Sequence, residues 1–180
     1  MIIDRTYFWG NLDPAWRPTG VGNSAELRTR QDAEIDAYIA KYEDELLTLI
    51  FGDLKDAYVA GRASEPWSAV DAFIVNSTTK TSIIANYAFF HYWNDKQYQV
   101  DSSGTFVKTR EDGTVVSNSV KTIKAWNEMV DKIILLFEFI TENLDTYVTG
   151  EDEFNYTGWS RFVTYSGGYV TGNYLNSFGI

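Results

Sequence analysis

The chain has 180 residues, 15 Lys plus Arg against 25 Asp plus Glu, and a formal net charge of −10. With 44% hydrophobic and 16% aromatic residues it is not a disordered polymer. Its acidity argues against general affinity for nucleic-acid phosphates, which depends on counterion release by Lys and Arg. It has no Cys and one His, His91, which excludes disulfide frameworks, thiolate metal sites and Cys nucleophiles and leaves any Ser-His-Asp triad resting on His91.

The length predicts one mainly α domain with arms. Residues 1–30 read as an irregular N-terminal arm anchored by aromatics, because Trp9, Gly10, Pro14, Trp16, Pro18, Gly20 and Gly22 interrupt any period. Residues 31–147 read as a helical bundle. Ile35, Tyr38, Ile39, Tyr42, Leu46, Leu49 and Ile50 form one helical stripe, with a cap near Thr29-Arg30-Gln31-Asp32 and closure at Gly52. Asp36, Glu43 and Asp44 fall off that stripe and are expected in water.

A short helix is expected from Asp53 to Ala60, ended by Gly61, and another to about Val75 with Ser64 as N-cap and Pro66 in its first turn. Thr78 to Trp93 predicts a further helix with Ile83, Ile84, Tyr87, Phe90 and His91 on one side. Between about 97 and 118 the chain turns to β-formers: Val100, Gly104, Phe106 and Val107, then Asp112-Gly113, then Val115 and Val116. Asp-Gly between such runs signals a hairpin turn.

Ile123, Val130, Phe137 and Leu144 recur every seven residues, as do Trp126, Ile133, Ile140 and Tyr147 three positions later. With Ser119 as cap this predicts a long bundle helix whose apolar face is widened by Ile134, Leu135 and Leu136. Residues 148–180 read as a β-prone C-terminal arm, with Gly167-Gly168 turning a hairpin between Arg161–Tyr165 and Tyr169–Thr171.

Motifs for chemistry are sparse. Gly20-Val21-Gly22-Asn23-Ser24-Ala25 matches G-x-G-x-x-A, but no strand–turn–helix context surrounds it. Asp53 with Asp56, and Glu151 to Glu153, could offer oxygen ligands to Mg²⁺, although acid pairs of this kind are common on solvated surfaces. No catalytic, metal-binding or cofactor-binding set is expected. His91, four residues after Tyr87, supports the alternative of a small enzyme or ligand-binding helical domain, beside the reading of a hydrogen-bonded core histidine. No stretch approaches the roughly 20 apolar residues of a membrane span, and the start lacks a secretory pattern, so the chain is expected to be soluble and intracellular.

Two features stand out. Asp131, Glu138, Glu142, Asp145, Glu151, Asp152 and Glu153 face one base, Lys132, over 23 residues, a net of −6; this is either a solvated face or a surface that repels phosphates. Trp159, Phe162, Tyr165, Tyr169, Tyr174 and Phe178 place six large aromatics in the last 22 residues. They either cover their own bundle or dock on a partner, for instance by strand addition.

The run Tyr38-Ile39-Ala40-Lys41-Tyr42-Glu43-Asp44-Glu45-Leu46-Leu47 closing on Phe51-Gly52-Asp53-Leu54 resembles the first helix of small tailed-phage neck proteins of the head–tail connector, or adaptor, family. Ala88-Phe89-Phe90-His91-Tyr92-Trp93, the polar hairpin around Ser103-Gly104-Thr105, the helix from Lys124-Ala125-Trp126-Asn127-Glu128-Met129-Val130 and the ending Asn176-Ser177-Phe178-Gly179-Ile180 extend the likeness. It is nearest to versions from (crAss-like) phages of gut Bacteroidales. The resemblance implies a helical bundle with a protruding β-hairpin, assembled as a ring of about twelve copies in the virion neck after synthesis in the host cytoplasm. Its implied partners are further copies of itself, the portal protein and other neck or tail proteins, with DNA passing through unbound and no membrane involved. Val100, Phe106, Val107, Val115, Val116 and the six C-terminal aromatics are the candidate partner-binding residues. The seven acids from Asp131 to Glu153 are the candidate DNA-repelling surface.

Overall fold

The computed structural model describes residues 1–9, 12, 25–101, 104–107, 118–148, 155–166 and 169–175. Near the N-terminus, Arg5–Tyr7 form a 3-10 turn, started by the Asp4 carboxylate accepting from the Thr6 amide at 2.8 Å. Ile3, Tyr7, Phe8 and Leu12 are buried in the main core, so these arm residues are part of the domain. Helix α1 spans Ala25–Phe51 and turns Ile35, Ile39, Tyr42, Leu46 and Ile50 inward at helical spacing. It opens at Ala25, about a turn before the predicted cap.

Glu43 departs from expectation: it is 8% exposed. Its carboxylate accepts the Ile2 amide at 2.7 and 2.8 Å and the Ile3 amide at 3.3 Å. The extended N-terminal segment lies over this position and supplies the donors that make a buried carboxylate tolerable. Arg5 adds ion pairs to Asp32 and Asp36, at 2.6 and 3.1 Å.

Gly52, at φ +54, ends α1 in the left-handed conformation that glycine adopts without penalty. A 3-10 turn, Gly52–Leu54, leads into α2, Lys55–Gly61, and then α3, Trp67–Ile74. Ser64 is not a side-chain cap; α3 starts directly after Pro66, and Ser64 contributes its carbonyl to the Ser68 amide at 2.9 Å. Asp71 of α3 ties the pair together, accepting the Tyr58 hydroxyl at 2.6 Å and the Arg62 guanidinium at 2.9 and 3.2 Å.

A two-residue hairpin unforeseen in the sequence follows, β1 (Val75–Asn76) against β2 (Thr81–Ser82). The Asn76 side chain accepts the Thr78 and Thr79 amides, and Lys80 takes φ 52, so this stretch is a turn rather than the start of a helix. Helix α4, Ile83–Gln97, begins only after it. Every residue from Ile83 to Phe89 is buried, so its first two turns are enclosed on all sides rather than along one stripe. Asn86, inside this stretch, donates its amide to the Ala125 carbonyl at 2.9 Å.

Strands β3 (Tyr98–Asp101) and β4 (Gly104–Val107) continue from the end of α4 as an antiparallel hairpin, pairing Asp101 with Gly104. Only residues 102–103 connect them, so this hairpin closes about ten residues before Asp112-Gly113. Gly104 directly after two serines provides the shorter and more local closure. Asp112-Gly113, Val115 and Val116 lie outside the described residues.

Helix α5, Asn118–Glu142, packs against α4 and is followed by the single turn α6, Leu144–Tyr147. Trp126, Val130, Ile133, Phe137, Ile140 and Tyr147 of the heptad seam are buried. Leu135 does not widen that face: it is 54% exposed, one turn beyond the solvent-facing Asp131.

The C-terminal segment forms the single turn α7, Tyr156–Trp159, and the antiparallel strands β5 (Val163–Ser166) and β6 (Tyr169–Gly172). The architecture is thus mainly α, a bundle of α1, α4 and α5 carrying short hairpins. Asn155 fastens the segment to α1, donating to the Leu49 and Thr48 carbonyls at 3.0 and 3.2 Å and accepting the Gly158 amide at 3.1 Å. It satisfies carbonyls left open at the end of one helix and an amide at the start of another.

Gly158 approaches so closely that an added Cβ would sit 1.9 Å from the Leu49 carbonyl oxygen. Gly158→Ala is therefore expected to cost about 3 kcal/mol. The urea midpoint should fall with little change in slope; a wild-type midpoint would show that α7 does not dock this way.

Candidate interaction surface and the His91 cluster

The six C-terminal aromatics divide by position. Trp159 and Phe162 are fully buried: Trp159 packs edge-on to Phe137 at 5.1 Å, and Phe162 lies 5.9 Å from Trp126 and 6.0 Å from Tyr87. They complete their own core and are removed from the partner-binding set. The cause is Asn155 and Gly158, which bring this turn down onto α1.

Tyr165 and Tyr169, by contrast, are 64% and 77% exposed. Tyr165 pairs with Val170 and Ser166 with Tyr169, so the two tyrosines point to opposite faces at the hairpin tip. Phe178 lies outside the described residues. Val100, Phe106 and Val107 lie on the two strands of the β3–β4 hairpin.

The base of β5–β6 is fixed by polar bonds. Asn173 donates its side-chain amide to the Ser160 carbonyl at 2.9 Å and accepts the Thr164 hydroxyl at 2.9 Å. Trp126 donates its indole N–H to the Asn173 carbonyl at 2.9 Å. Asn127 clasps Leu175 like a strand neighbour, donating to its carbonyl at 3.1 Å and accepting its amide at 2.9 Å. Tyr174 donates to Asp131 at 2.7 Å, and this bond raises the pKa of the Tyr174 phenol. These asparagines were not singled out in the sequence, because isolated Asn residues form no pattern until the strand is laid beside the helix.

Asp131, Glu138 and Glu142 share the solvent face of α5, and Asp145 is exposed on α6. Lys132 is turned partly inward, where burial lowers its pKa. The exposed face of α5 from Asp131 to Glu142 therefore carries only acids and Leu135 at its most exposed positions. Glu151, Asp152 and Glu153 lie outside the described residues.

His91 sits in an aromatic and polar cluster between α1, α4 and the residues before β5. Tyr42 stacks on it at 4.2 Å and 8°, and Tyr87 meets it edge-on at 4.5 Å. Tyr87 donates to Glu45 at 2.6 Å; Arg161 lies 3.4 Å from the same carboxylate oxygen. Burial, with the Glu45 bond, pushes the Tyr87 phenol well above its ordinary pKa. His91 Nε2 is enclosed and makes no hydrogen bond among the described residues.

No family model matches the chain, and no curated protein or solved structure matches it.

Among the described residues no group of three or more His, Asp or Glu could hold a metal ion, and no helix is long and apolar enough to cross a membrane. Burial lowers the pKa of His91, with Glu45 opposing and Arg161 assisting. The folded state thus binds less proton than the unfolded chain. His91 is expected to leave stability unchanged above its unfolded pKa of about 6.5 and to reduce it as pH falls below that value. Melting temperatures between pH 7 and pH 5 should decline less steeply in His91→Phe; parallel profiles would contradict this.

Proposed function

We propose that the chain is a structural subunit of a tailed-phage neck, a connector that forms a ring joining portal to tail and lets DNA pass without holding it. The observation that carries this reading is the exposed tip of β5–β6, where Tyr169 faces solvent and Tyr165 is part-exposed over Phe137, mounted on a polar-bonded base beside an acidic helix face. Tyrosines combine apolar area with a hydrogen-bonding end and suit surfaces that become buried on assembly. Repetition around a ring would multiply the charge of Asp131, Glu138, Glu142 and Asp145, and a lumen of that sign repels phosphates. The likeness to head–tail connectors points the same way.

The purified chain, alone and with the portal protein encoded by the same genome, is expected to give rings or portal-capped rings by negative-stain electron microscopy and a matching mass by light scattering. A protein that stays monomeric and does not bind portal at any concentration overturns the proposal.

A further inference from the structure

We draw no further inference here: the strongest candidate, the outer face of α5 where Leu135 lies exposed among Asp131, Glu138 and Glu142 beside Tyr174, carries nothing because nothing in the structure shows what covers it.

Discussion

Phe137→Asp is expected to remove the cooperatively folded state. Phe137 is buried on the seam of α5 and is ringed by residues of the C-terminal segment: Trp159 at 5.1 Å, Tyr165 at 6.2 Å and Tyr156 at 6.4 Å. An aspartate there loses the apolar contact of a large side chain, about 3–5 kcal/mol, and must either ionise in an apolar surrounding or remain protonated at further cost. A domain of this size has total stability of about 5–15 kcal/mol. Circular dichroism and urea titration should show loss of the cooperative transition at neutral pH and partial recovery at acid pH, where the carboxyl is protonated. A variant that melts like wild type would mean that α5 does not face the C-terminal segment through this residue.

That residue was readable in advance because a seven-residue repeat reports directly on the buried seam of a long helix. The mainly α class and the solvent positions of Asp131, Glu138 and Glu142 follow from the same periodicity. Glu43 and α4 show where the periodicity stops being informative. Glu43 is buried because an extended segment forty residues away needs its carboxylate, and no single-element pattern contains that segment. The first two turns of α4 are enclosed on every side, so its Ile83, Ile84, Tyr87 stripe describes only part of its contact surface.

The interaction surface was half legible for a related reason. Aromatic density marks the C-terminal segment as anomalous but does not say which rings turn inward. Direction is set by Asn155 against the end of α1, by Gly158 against Leu49 and by the Asn127 clasp on Leu175, all of them pairings between residues remote in sequence. Once these are in place, Trp159 and Phe162 are core and Tyr165 and Tyr169 are not. A hairpin with a rigid base and an exposed tip presents its contact residues at low entropic cost, since the strands are already ordered before a partner arrives. That differs from a disordered arm, which must lose its conformational freedom on docking.

Removal of residues 155–180 is expected to unfold the domain rather than produce a monomeric bundle deficient in assembly. The deletion takes away Trp159 and Phe162, each fully buried and worth about 3–5 kcal/mol on truncation to Ala. It also exposes Tyr87, Trp126 and Phe137, whose rings they touch, and strands the carbonyls of Thr48 and Leu49 that Asn155 covers. Together these losses rival the whole stability of a domain of this size. The truncated chain should lose near-ultraviolet circular dichroism and its sharp melting transition and bind a hydrophobic dye. Tyr169→Asp alone should stay within about 0.5 kcal/mol of wild type, as expected for a surface substitution. A truncated protein that still melts cooperatively would return Trp159 and Phe162 to the partner-facing set; loss of folding there, with Tyr169→Asp folded but unable to assemble, separates the part of this segment that builds the domain from the part that joins domains together.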